Sequence, residues 1–363
     1  MAVSRSRGRG GLEGEVSVNP RYDAIVIGAG HNGLVHAAYL ARAGVKVLVL
    51  ERRHIVGGAA VTEETFPGFK FSVCSYVVSL LRPEIIRELD LWRHGLEILP
   101  LDGTFTPMPD GNYLWRVDDH EKTRRQIARH SPRDAEAYED FNKVMAEMAA
   151  FVKPILAMTP PDPSRLRPRD LKRLLVLWRM FRSLSSPQKY RLVQLMTMSA
   201  ADFLDQWFET DVLKATLSAS GIIGTFLGVR SPGTAYVLLH HYMGELDGVF
   251  RAWGLSRGGT GGVSNAIAAA ACEAGAEIRT EAPVARILVR NGRAAAVVLG
   301  NGDEVAASVV SSSVDPRQTF IKMLEPSALP GEFRAQVERY KFRGSSAKVN
   351  LALDALPDFA CLP

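Results

Sequence analysis

The sequence predicts an α/β fold: a nucleotide-binding unit on parallel strands, divided in sequence by a long, mostly helical insertion. Three observations point there. A short apolar run, residues 23–27, ends in Gly28-Ala29-Gly30-His31-Asn32-Gly33, then an alanine- and leucine-rich stretch, then a second apolar run at 45–50. From about Leu101 to Asp205 helical periodicity takes over. After Gly254 the chain returns to glycine clusters and short strands joined by tight turns.

Taken in order, residues 23–27 read as a buried strand, an apolar run stopped by Gly28. Residues 34–43 read as a helix that Gly44 terminates. Residues 45–50 form the next buried strand, so the unit is β-α-β with parallel strands and a right-handed crossover. We place 21–100 in the first part of the nucleotide-binding domain. The insertion, 101–245, carries helices at 134–148, 171–184 and 190–208, with a proline-rich break at 159–168. The second part of the domain, 246–330, opens with the glycine cluster Gly258-Gly259-Thr260-Gly261-Gly262 and a helix at 260–274. That cluster lacks a preceding strand at fingerprint spacing and is read as a turn and close-packing element. Strands at 285–289, 294–299 and 304–307 alternate with Asn291-Gly292 and Asn301-Gly302, the strongest short hairpin signal. They form an antiparallel meander, and Val309 and Val310 lead back into the parallel sheet. Residues 331–363 begin a further segment, with a strand at 348–353.

Composition limits the function classes. The chain has 363 residues, 47% apolar and 23% charged, enough for two globular domains. No run of 18 uncharged apolar residues exists, so no transmembrane helix is expected. A net charge of +5, with no zinc-finger, homeodomain or RNA-recognition signature, argues against nucleic acid as a partner. Cys74, Cys272 and Cys361 make no C-x-x-C, which excludes a redox dithiol and suits a reducing compartment. Residues 1–20 carry Arg5, Arg7 and Arg9, but Glu13, Glu15 and the surrounding glycines oppose an amphipathic targeting helix. We read them as a disordered polar leader and expect a cytoplasmic protein, with the mitochondrial matrix as the alternative.

The glycine pattern is G-x-G-x-x-G, and each glycine has a task. Gly28 permits the turn out of the strand, Gly30 lets backbone approach a pyrophosphate, and Gly33 lets the helix pack closely on the strand. Ala29, His31 and Asn32 complete the loop at the helix N-terminus, where unpaired N–H groups and the positive dipole end attract phosphate. Glu51 ends the second strand 18 residues after Gly33, where a carboxylate accepts hydrogen bonds from the adenosine ribose hydroxyls. A carboxylate there repels a 2′-phosphate, so NADP is disfavoured.

A second glycine pair, Gly57-Gly58, follows Glu51 by six residues in the run E-R-R-H-I-V-G-G-A-A. This E-x-x-x-x-x-G-G arrangement resembles the glutathione-reductase-type FAD superfamily, in its amine oxidase and phytoene desaturase branch. The runs F-P-G-F-K-F and S-L-L-R-P extend the similarity to the carotenoid and phytoene desaturase-like flavoproteins. So do Asp205-Gln206-Trp207-Phe208-Glu209, Tyr236-Val237-Leu238-Leu239-His240-His241 and Ala252-Trp253-Gly254.

The resemblance implies FAD as cofactor in a discontinuous Rossmann-like domain, with the helical insertion as substrate domain. Gly57, Gly58 and Ala59 would pass close to the phosphates and ribityl chain, Arg52 and Arg53 would lie toward the adenosine end, and the backbone of Val284 would touch adenine. It further implies an FAD-dependent oxidoreductase moving a hydride from a hydrophobic or amine-like substrate to flavin. The electron acceptor stays open: oxygen, a quinone or another protein. Two alternatives stand beside it: a flavin-dependent isomerase without net oxidation, and a non-catalytic flavin-fold protein acting through a protein partner. Similar proteins continue beyond this length into a second glycine-rich segment beside the flavin, so we expect a chain truncated at its C-terminus.

No catalytic residue and no metal site is legible: there is no H-E-x-x-H, C-x-x-C or G-x-S-x-G. His240 and His241 are adjacent, so they cannot face one site equally, and a structural role is expected for both. From 153 to 191 there are ten Lys or Arg residues and two acids, interleaved with Leu171, Leu174, Leu175, Leu177, Trp178 and Phe181. Peripheral contact with an anionic membrane is one reading. A helix with a core face and a solvated basic face is the simpler one, and the one expected here.

Overall fold

A computed structural model describes residues 22–164, 167–246, 249–250, 253–344 and 346–362. The leader at 1–20 and Ala252 lie outside the described residues. In chain order the elements begin with β1 (Tyr22–Ile27), α1 (His31–Arg42), β2 (Val47–Leu50), β3 (Thr62–Phe66), β4 (Phe69–Ser72), α2 (Pro83–Glu88) and β5 (Ile98–Pro100). Next come β6 (Gly103–Pro107), β7 (Tyr113–Val117), α3 (His120–Ala128), α4 (Pro132–Ala157), α5 (Pro168–Ser183), α6 (Ser186–Thr197), α7 (Ala200–Asp205), α8 (Asp211–Ser218) and α9 (Thr234–Tyr242). Then follow β8 (Glu245–Leu246), β9 (Val249–Phe250), β10 (Gly254–Ser256), α10 (Gly261–Glu273), β11 (Glu277–Arg279), β12 (Val284–Arg290), β13 (Arg293–Leu299), β14 (Glu304–Ser312) and α11 (Gly331–Arg339).

The chain divides into two compact units, Met1–Val56 with Ala271–Arg339, and Gly57–Ala270 with Tyr340–Pro363. The first unit is built on one six-stranded sheet in the order β11-β2-β1-β14-β13-β12. β1 runs parallel to β2 and β14, and β11 runs parallel to β2. Strands covered on both faces read as continuous apolar runs. Accordingly Ile25, Val26, Leu48 and Val49 have no exposed surface. Tyr22, Ile27, Leu50, Ile287, Val297 and Leu299 extend this core under the meander.

β14 joins the two halves of the sheet. Its first residues pair antiparallel with β13, and from Ala307 on it pairs parallel with β1. The expected strand at 304–307 and the return through Val309 and Val310 are therefore one continuous strand. The two Asn-Gly turns differ. Asn291 and Gly292 both have positive φ, 52° and 74°, the geometry of a two-residue hairpin turn. At the second, Gly302 has positive φ, while the Asn301 side chain bonds Asp303 and Leu299 N–H reaches Asp303 O at 2.9 Å. This is a longer loop, so the same dipeptide serves two turn types.

The second unit packs its helices around Phe141, Met145, Met148, Phe203, Leu238 and Leu239. Asp134, in the first turn of α4, is fully buried. It accepts from the N–H groups of Glu209 (2.8 Å) and Thr210 (3.0 Å) and from the Thr210 hydroxyl. These bonds stabilise the carboxylate away from water and tie α4 to the start of α8. The stretch 190–208, expected as one helix, is α6 and α7. Ser199 breaks it by capping Asp202 N–H at 3.0 Å, and Thr197 O and Met198 O accept from Gly233 N–H.

The unit boundaries differ from the sequence expectation. Residues 57–100 group with the helical insertion because β3 pairs β4 and β5 pairs β10, none of them joining the parallel sheet. Residues 246–270 go with them, while 331–339 belong to the sheet unit. The insertion also contains a hairpin, β6–β7, ahead of its first helix. Residues 348–353 are not a strand. Their alternating pattern suits one, but among the described residues no strand pairs with them, and Val349 and Leu351 are exposed.

Candidate dinucleotide site

In the first unit, the loop between β1 and α1 is shaped by backbone crowding. Gly28 has φ +92°, a conformation costly for any residue with a Cβ. A Cβ on Gly33 would sit 2.2 Å from Gly28 O and 2.6 Å from Ser313 Oγ. The helix is thus pressed against the end of the sheet, which only glycine allows. Gly30 is the N-cap of α1, no side chain caps that end, and its first turn has no acidic residue. Ala29 is buried, Asn32 exposed, and the half-buried His31 keeps Nδ1 without a hydrogen-bond partner. An uncapped helix N-terminus with glycine at its entrance is the arrangement that receives a phosphate group.

Glu51 is placed where the spacing puts it, and the structure adds how it is held. Its carboxylate is buried, Oε2 accepting from Ala29 N–H at 2.9 Å and Oε1 from Arg53 N–H at 3.0 Å. Each oxygen keeps a lone pair for a sugar hydroxyl. The first of these bonds fixes the carboxylate to the glycine loop itself, so phosphate cradle and ribose acceptor are one rigid piece.

Val284 is brought to the same end. Just before it, Ala282 N–H donates to Glu51 O at 2.8 Å and Glu281 N–H to Arg53 O at 2.9 Å. Glu281 reaches this position with φ +53°. Arg53 is half-buried and Arg52 exposed.

Ser313 carries no signal in the sequence. Its hydroxyl donates to Gly28 O at 2.9 Å, and its N–H donates to Ile27 O at 2.9 Å. It closes the underside of the turn against Gly33. A serine after a strand makes no fingerprint; only the parallel pairing of β14 with β1, strands from opposite ends of the described chain, brings it here.

Gly57, Gly58 and Ala59 belong to the second unit and are described within it. Gly57 has φ +122°, and a Cβ there would lie 2.3 Å from Ala60 O. The turn is closed by Ala60 N–H on Gly57 O and by the Ser264 hydroxyl on Ala60 O. The cluster around Gly259 behaves as a packing element, since a Cβ there would sit 2.3 Å from Thr62 Oγ1.

The second unit contains two cavities, one on each side of α9. His241 lines the smaller, of about 400 Å³, with Tyr76, Arg116, His120, Tyr242 and Trp253. His240 lines the larger, of about 620 Å³, with Leu80, Leu81, Pro154, Leu156 and Met243. Adjacent histidines on a helix diverge, so each serves a different cavity. Burial, and then the neighbouring His241, hold the His240 imidazole below its ordinary value of 6.5. Lys153 and Glu245 form an ion pair beside His240 in the larger cavity.

Residues 33–357 match the family described as flavin containing amine oxidoreductase. Among curated relatives, pyridine nucleotide-disulfide oxidoreductase domain-containing protein 2 of Rattus norvegicus is 42% identical over 95% of this chain and 62% of its own length. A limonene dehydrogenase polypeptide of Castellaniella defragrans is 31% identical over 82% of this chain and 52% of its own. Among solved structures, a putrescine oxidase aligns with TM-score 0.55 at 19% identity, covering 87% of this chain and 63% of that one, a likeness of fold. The chain thus spans under two thirds of the length of these curated relatives.

Proposed function

The chain belongs to the flavin-containing amine oxidoreductase family, and on that premise we propose that it is an FAD-dependent oxidoreductase that takes a hydride from a hydrophobic substrate. The observation that carries the cofactor reading is the buried Glu51 carboxylate, hydrogen-bonded to the loop that opens α1. The residues fit the ADP half of FAD. Gly28, Gly30 and Gly33 leave the backbone approachable, the uncapped end of α1 faces phosphate, and Glu51 takes the ribose hydroxyls. Val284 lies where its backbone reaches adenine. Bound FAD would supply the hydride acceptor.

The chain's own part is to bind, orient and keep water out. The cavity beside His240 is mostly apolar, suited to the body of a hydrophobic molecule. The neutral imidazole favoured by burial is available there to accept or donate one hydrogen bond. A hydrocarbon-like substrate accords with the relative named as a limonene dehydrogenase. The test is the visible spectrum of the purified chain, titrated with limonene in the absence of oxygen. Flavin bands that bleach on titration are expected; a colourless folded protein, or bands indifferent to every hydrophobic substrate tried, would contradict the proposal.

A further inference from the structure

Helix α5 has no core face. Of its residues only Asp170 is buried. Its apolar residues Leu171, Leu174, Leu175, Trp178 and Phe181 nevertheless recur at 3, 4, 7 and 10 residues from the first, the spacing of one helical stripe. Leu171, Leu175, Trp178 and Phe181 are 44–52% exposed. On α6, Tyr190, Val193 and Met196 continue the pattern, at 65%, 55% and 40%. An amphipathic helix that turns its apolar stripe outward has the sequence of a docked element and the exposure of an undocked one.

The charges around the stripe say what covers it. Between Pro168 and Arg191 stand Arg169, Lys172, Arg173, Arg179, Arg182, Lys189 and Arg191, against the one acid Asp170. That acid is turned inward, 3.4 Å from Arg173. Arg182 lies over the Trp178 ring and Lys189 over Phe181, so cations border the aromatic groups directly. A second copy of the chain would set this patch against itself across a two-fold axis, and its like charges would repel. An anionic bilayer offers the complement: acyl chains for the stripe, headgroup phosphates for the rim, and an interfacial layer that suits Trp and Tyr. No described helix is long and apolar enough to cross a membrane, so the contact is lateral.

We propose that α5 and α6 form a membrane-surface docking face that lays the apolar stripe of α5 into an anionic lipid bilayer. The proposal is independent of the flavin reading.

The test is co-sedimentation of the full chain with vesicles of phosphatidylcholine alone and of phosphatidylcholine mixed with phosphatidylglycerol. Bound fraction on the mixed vesicles should exceed that on the neutral ones and fall as salt is raised. The double variant Leu175→Glu/Trp178→Glu should lower partitioning about tenfold or more. Arg179→Glu/Arg182→Glu should remove the preference for anionic lipid, and circular dichroism should show both variants folded. No binding to mixed vesicles, or equal binding by chain and variants, overturns the proposal. A concentration-dependent dimer that Leu175→Glu dissociates, with no vesicle binding, overturns it in favour of self-association.

Discussion

Helices α1 and α5 both carry apolar residues at helical spacing, yet they meet opposite fates. α1 buries Gly33, Leu34, Ala37, Ala38 and Ala41, while α5 buries Asp170 alone. The difference lies in side-chain size and in the neighbour each helix finds. α1 presents glycine and alanine, which let it close onto a sheet already formed by local β-α-β pairing. α5 presents Leu, Trp and Phe between arginines, too bulky and too charged for that approach. Apolar periodicity therefore identifies the face that seeks apolar contact, and small residues within it identify the face that has found it.

The largest effect is expected at the tightest contact. Gly33→Val would force a side chain into the 2.2 Å gap to Gly28 O, costing about 3 kcal/mol and abolishing cofactor retention. Denaturant unfolding and the flavin content of the purified protein read both. Next, one substitution in each helix sharpens the contrast. Leu34→Ala empties a site with no exposed surface and should cost about 2–4 kcal/mol, whereas Leu175→Ala, at 44% exposure, should change stability by less than about 0.5 kcal/mol. Equal losses in urea midpoints would mean that α5 is packed after all.

The smallest effect is a pH dependence at His240, in the core helix α9. Its folded-state value lies below 6.5, so the unfolded chain binds the proton more readily. Stability should be complete above that ordinary value and decline as pH falls below it toward the folded-state value. His240→Gln should flatten the decline, read as the urea midpoint between about pH 7.5 and about pH 5.5. A decline unchanged by the substitution would assign it to other groups.

What the sequence made legible was local. The fingerprint from Gly28 to Gly33, the distance to Glu51 and the Asn291-Gly292 hairpin each depend on a few adjacent residues whose backbone demands are specific. What it hid was long-range. Ser313 acts through a strand pairing with β1, and residues 57–100 join the helical unit because β5 pairs with β10. The break between α6 and α7 depends on Ser199 and on the distant Gly233, which donates to the carbonyls before it. The basic stretch departs from its expected core face for a related reason: a hydrophobic stripe predicts burial only if the fold supplies a partner.

The central claim is that Glu51, fixed by Ala29 N–H, holds the adenosine ribose at the mouth of α1. Isothermal titration of FAD into the chain and into Glu51→Ala tests it most directly, with circular dichroism confirming that both are folded. The account predicts saturable binding by the chain and a loss of about tenfold to a hundredfold in affinity for the variant, two charge-assisted hydrogen bonds being removed. Equal affinity in the two would contradict it.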